Sequence, residues 1–174
     1  TPLVLTATAG ADSVFAGWSG NCTGAALCNL TVDGAKAVQA RFNLVTYPLT
    51  ITRTGSGSGT IASNPAGINC GTTCTANFSV GATVILTATA GATSTFTGWS
   101  GGGCAGTGPC MTTIAGASTI SAGFALNSYT LTVAKIGNST GTVTSNPPGI
   151  DCGVDCTESY LATTPVVLTA VPDA

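Results

Sequence analysis

Two twelve-residue segments, SNPAGINCGTTC from Ser63 and SNPPGIDCGVDC from Ser145, stand 82 residues apart and differ at only three positions. The same spacing governs the rest of the chain. LTATAG begins at Leu5 and again at Leu86, LTA returns at Leu168, and FAGWSGNCTGAALC at 15–28 is answered by FTGWSGGGCAGTGPC at 96–110. Self-similarity at a fixed period means that one folding unit is used repeatedly, which excludes a single large core. The period is 81 to 82 residues, and the extra residue falls where SGNC becomes SGGGC. That glycine run is therefore expected at a loop tip, where insertion is tolerated.

On this phase the chain divides into residues 1–46, the carboxy-terminal part of one unit; 47–128, a complete unit; and 129–174, the amino-terminal part of the next. It reads as a window on an array. TPLVLTATAG at the start lacks the basic segment of a secretion signal, so the chain is expected to be mature or cut from something longer. Four residues separate Phe42 from Tyr47 and Phe124 from Tyr129, and joints this short predict neighbouring units that touch.

Within a unit the apolar residues alternate with period two, the signature of half-buried strands. Tyr47, Leu49 and Ile51 share one face; so do Val84, Leu86, Ala88 and Ala90, and again Ile120, Ala122, Phe124 and Leu126. Shorter candidates are GTIAS, TANFSV, STFTGW and MTTI, separated by Gly, Asn and Pro turn formers, while GSGSG at 55–59 reads as a hairpin tip. Six or seven strands and no helix are expected. The fold class is all-β: tandem small antiparallel β-sandwich or open-barrel modules of about 82 residues with local disulfides.

A unit of this size has a modest core and needs staples. Cysteines recur as C-x3-C and C-x5-C. Four per unit allow three connectivities, which sequence does not choose between. The expected pairing is local, Cys22–Cys28, Cys70–Cys74, Cys104–Cys110 and Cys152–Cys156; the rival is a four-sulfur zinc site. A thioredoxin-type redox role is disfavoured because that motif has two intervening residues rather than three or five. Close cysteine pairs point to an oxidising, extracellular compartment.

Trp18 and Trp99, in GWSG, are either anchors packed under the cysteine loop or platforms for a sugar ring, and the strand-like alternation with Phe15 and Phe96 favours the anchor. Tyr47 and Tyr129, beside the joints, are expected to pack between neighbours.

The chain contains no histidine, which removes Ser-His and Cys-His nucleophile systems and histidine bases. The complete unit contains no Asp or Glu, so paired-carboxylate hydrolysis has no acids to use. No catalytic residue and no cofactor is expected. Asp151, Asp155 and Glu158 cluster and could catch a hard cation, but their counterparts one period earlier are Asn69, Thr73 and Ala76. Sequons at Asn21, Asn29, Asn77 and Asn138 arise readily by chance in Thr- and Ser-rich sequence. The basic residues Lys36, Arg41, Arg53 and Lys135 are scattered singly and form no phosphate-neutralising stripe, so nucleic acid is not an expected partner. No apolar stretch is long enough for membrane insertion.

The compound pattern S-N-P-x-G-I-x-C-G-x-x-C, then V-x-L-T-A, F-x-G-W-S-G and C-x5-C, resembles the divergent internalin-B-type bacterial repeat. The match is carried by Gly59, Pro65, Gly67, Ile68, Cys70, Cys74, Leu86, Phe96, Trp99, Cys104, Cys110 and Phe124 and extends over essentially the whole chain. The resemblance implies a small β-rich module strung in tandem through large secreted or cell-surface proteins as spacer, adhesive stalk or matrix component. The unusually low charge departs from that pattern and raises packing against other chains. The leading expectation is a non-catalytic structural array, extracellular or on the cell surface, whose partners are neighbouring repeats and identical chains, assembled into filaments. The alternatives are a carbohydrate-binding module using Trp18 and Trp99, with extracellular glycans as partners, or an accessory module of a larger secreted enzyme.

Overall fold

The computed structural model describes residues 1–173. Every regular element in it is a strand. In chain order these are β1 (Pro2–Leu5), β2 (Ser13–Gly20), β3 (Cys28–Thr31), β4 (Val38–Leu44), β5 (Thr46–Thr54), β6 (Gly59–Asn64), β7 (Thr75–Ser79), β8 (Thr83–Ala90), β9 (Ser94–Ser100), β10 (Cys110–Thr113), β11 (Ser118–Leu126), β12 (Ser128–Thr132), β13 (Gly141–Asn146), β14 (Thr157–Leu161) and β15 (Val167–Pro172).

Strands β5 to β11 build two sheets, one in the order β7-β5-β11-β9 and one in the order β10-β8-β6. The alternating residues named above point inward. Leu49, Ile61, Val84, Leu86, Ile120, Ala122 and Phe124 are essentially inaccessible, and side chains from both sheets meet in one core with Ile51, Phe78, Trp99 and Ile114. Ser, Thr and Ala occupy most outward positions, because only one face of each sheet has a partner. The all-β expectation, with four local disulfides and no helix, is what the structure contains, and the sheets do not close into a barrel.

Two details differ from the sequence reading. The sheets are not wholly antiparallel: β5 and β11, the first and last strands of the unit, run parallel, with Ile51 opposite Ile120. Residues 55–59 are not a hairpin tip, since β5 and β6 belong to different sheets and do not pair. The segment instead crosses from one sheet to the other over β11, held by the Gly57 N–H donating to the Phe124 carbonyl (2.9 Å). Gly59 completes the crossing against the Phe124 ring, where a Cβ would overlap the ring carbons. Alternation reports which face a strand buries but not its neighbour, so both misreadings have one origin.

The flanking segments repeat parts of the same plan. Strands β1 to β4 pair as β1-β3 and β2-β4, matching β8-β10 and β9-β11; β12 to β15 pair as β12-β14 and β13-β15, matching β5-β7 and β6-β8. A single residue joins consecutive segments, Val45 before β5 and Asn127 before β12. Each is bonded on both sides. The Val45 N–H donates back to Asp12 (2.9 Å) and its carbonyl accepts from Val80 (2.8 Å); the Asn127 N–H donates to Thr93 (2.9 Å) and its carbonyl accepts from Ala162 (2.8 Å). With both polar groups of the joint committed, the chain turns a defined corner there rather than swivelling.

Candidate functional site

The cysteine loops lie along sheet edges. In the C-x3-C loop, the Cys70 N–H donates to the Ile61 carbonyl (2.6 Å), and the Ser63 N–H donates to Ile68 (3.0 Å), so the loop runs beside the outer edge of β6. Its other end reaches the opposite sheet, where the Ile51 N–H of β5 donates to the Cys74 carbonyl (2.7 Å). The Cys70–Cys74 disulfide closes this clip, with a Cα separation of 4.3 Å. Cys152–Cys156 repeats it at 4.2 Å, with the Cys152 N–H donating to Val143 (2.7 Å) and the Val133 N–H to Cys156 (2.8 Å).

The turn leading into the clip depends on one hydroxyl. Ser63 Oγ donates to the Pro65 carbonyl (2.7 Å) and accepts from the Ile68 N–H (2.9 Å); Ser145 Oγ does the same with Pro147 (2.8 Å) and Ile150 (2.9 Å). A local hydroxyl that satisfies both a donor and an acceptor holds the S-N-P-x-G-I turn in shape.

The C-x5-C loop covers the outer edge of β9. The Trp99 N–H donates to Gly106 (2.9 Å) and its indole Nε1–H to Gly108 (2.8 Å), both inside the loop closed by Cys104–Cys110. Trp18 repeats both bonds with Gly24 (2.8 Å) and Ala26 (2.9 Å) inside the Cys22–Cys28 loop. The glycine of GWSG follows a bulge, since β9 and β11 shift register between Gly123 and Phe124. At Gly98 φ is +132°, and the Gly106 carbonyl lies 3.1 Å from where a Cβ would stand. Only glycine adopts that conformation at no steric cost. The indole then stands edge-on to Phe96 at 5.0 Å, and Phe96 lies 5.3 Å from Phe124.

Trp99 is thus 5% exposed, while Trp18 is half-buried and Tyr47 packs against the core of its own unit. Tyr129 is exposed, and its hydroxyl accepts a 3.4 Å bond from Asn127. The acidic cluster is occupied by turn structure: Asp155 Oδ1 accepts from the Thr157 N–H (3.0 Å) and hydroxyl (3.2 Å), and Glu158 Oε1 from the Ser159 N–H (2.8 Å). Among the described residues, no three His, Cys, Asp or Glu side chains gather as a cation site.

One pair of residues had a role that the sequence reading missed. Arg53 donates to the Gly59 carbonyl (3.1 Å), and Lys135, one period on, donates to the Gly141 carbonyl (2.9 Å). These cations bridge the ends of the inter-sheet crossing. Their signal was the period itself, because each stands six residues before the glycine of G-T-[I/V].

Comparison with known families closes the description. The model of the divergent InlB B-repeat domain matches residues 1–46 and 47–128. The chain belongs to the divergent InlB B-repeat domain family. No curated protein and no solved structure matches it. The family is one of bacterial surface-type repeat modules, and repeat domains of this type are typically non-catalytic.

Proposed function

We propose that this chain is a non-catalytic structural array of an extracellular or cell-surface protein, working as a stalk or fibre. The observation that carries this reading is the placement of both stapled loops on sheet edges. An uncovered edge is a template for pairing with foreign strands, and each cysteine loop here occupies one with backbone hydrogen bonds. Covalent closure keeps the cover in place in an oxidising medium. The single-residue joints at Val45 and Asn127 add the stiffness that a spacer needs.

The indoles support this reading over carbohydrate binding, since both are bonded to the loops above them and Trp99 offers no open ring face. The experiment is antibody labelling of intact and permeabilised cells, combined with thiol alkylation of the native protein. Label on intact cells with all eight cysteines unreactive is expected. Label appearing only after permeabilisation, or cysteines that alkylate without reduction, overturns the proposal.

A further inference from the structure

The two flanking segments are complementary parts of one unit. Strands β1 to β4 correspond to β8 to β11 and lack what β5, β6 and β7 supply; β12 to β15 correspond to β5 to β8 and lack what β9, β10 and β11 supply. The cost of the missing partners is visible at equivalent positions. Phe42 is 43% exposed where Phe124 is 1%, and Leu168 is 45% exposed where Leu86 is 0%.

Strand lengths say the same. β5 pairs with β7 through residues 46–50 and with β11 through 49–54; its counterpart β12 stops at Thr132, keeping only the part whose partner is present. Residues 133–136 are left unpaired with Ile136 95% exposed, beside an open groove lined by Lys135, Thr142, Val143, Ala170 and Val171. Likewise β1 ends at Leu5, where β8 continues to Ala90 along β6.

Charge fits as well. Ser118 and Ala76 flank Leu49 in one row of the four-stranded sheet. Their counterparts around Leu131 are Lys36 and Glu158, opposite charges that a docked pair would set in one row two strands apart, roughly 10 Å between backbones.

We propose that the β1–β4 segment of one chain docks onto the β12–β15 segment of a second copy, rebuilding a complete unit across the junction. The central contact is β4 against residues 131–136, parallel, with Val38 opposite Val133 and Ala40 opposite Lys135, as Ile120 and Ala122 stand opposite Ile51 and Arg53. Because β1 and β15 both correspond to β8, one must leave. β1 is paired over four residues and β15 over six, so β1 is displaced and β3 transfers to the free edge of β15. The interface is heterologous, which propagates as an open filament unless the rotation closes a ring. The inference rests on the structural-array reading and names its partner; cell-surface labelling judges that reading separately.

The test uses the full 174-residue chain, oxidised, in sedimentation and light scattering across micromolar to millimolar concentration. Wild type is expected to rise with concentration to at least several times its 16.8 kDa mass. Ala40→Glu and Leu168→Glu each place a charge at a position exposed in the single chain and buried at the junction, and each alone is expected to stay at monomer mass. Mixed, they retain one competent surface apiece and are expected to form a 1:1 dimer of twice that mass and nothing larger. Hydrogen exchange on wild type gives a readout independent of the variants: amides of 133–136 gain protection on concentration, and those of 2–5 lose it. A wild type monomeric at every concentration overturns the proposal, as does assembly that either substitution leaves intact.

Discussion

The indole Nε1–H of Trp99 donates to the carbonyl of Gly108 at 2.8 Å, nine residues along the chain and inside a loop closed by a disulfide. The same bond joins Trp18 to Ala26 in the preceding segment. A large apolar side chain therefore fills the core with one end and holds the edge cover with the other. Trp99→Phe should cost about 2 kcal/mol, from the lost hydrogen bond and the incompletely filled site, and Trp18→Phe less, because Trp18 is only half-buried. Urea unfolding of the two single variants measures this. Equal losses would contradict the difference in burial.

Removal of the clip should act locally. Closing so short a loop is worth about 2 kcal/mol by chain entropy, so replacing Cys70 and Cys74 together by alanine should lower stability by about that amount. The more specific sign is exchange at the edge of β6: the amides of Ile61 and Ser63, which face the clip, should lose protection. Unchanged exchange there would mean that the hydrogen bonds, rather than the disulfide, hold the clip.

Ser63→Ala removes the acceptor of the buried Ile68 amide and the donor to Pro65 at once. A loss of about 1–2 kcal/mol is expected. Thermal unfolding reads it directly, and Ser63→Thr, which keeps the hydroxyl, should recover part of the loss.

Gly59→Ala drives a methyl into the Phe124 ring at the centre of the core and should destabilise by about 1–3 kcal/mol. Gly108→Ala, which meets nothing within 4 Å, serves as the control and should be near neutral. Denaturation midpoints that fail to separate the two would show that the inter-sheet crossing moves aside.

Thr163 has φ of +68°, the left-handed region that a β-branched residue avoids, and its counterpart one period earlier is Gly81 at +77°. Thr163→Gly should therefore stabilise the β14–β15 turn, by up to about 1 kcal/mol after the entropy that glycine adds to the unfolded chain. Circular dichroism melts against wild type would detect it, and a lower midpoint would reverse the assignment of strain.

Much of this fold follows from short-range pattern. The inward faces of β5, β8 and β11 were legible because side chains alternate across a strand, and apolar residues at Leu49, Leu86 and Phe124 keep that phase. Local cysteine pairing was legible too, since three or five intervening residues place the sulfurs within reach whatever the rest of the chain does. The repeat announced the unit, and with it the family.

Which strand lies beside which was decided only by tertiary structure. The parallel pairing of β5 with β11 joins residues some 70 positions apart, and the crossing at 55–59 exists because β5 and β6 were drawn into different sheets. The bonds of Ser63, Arg53 and the joint residues Val45 and Asn127 are short-range in sequence or space, yet each depends on where a sheet has placed its partner. Alternation determines what a strand buries; its edges are satisfied by whichever backbone the whole fold brings alongside, and no local pattern records that choice.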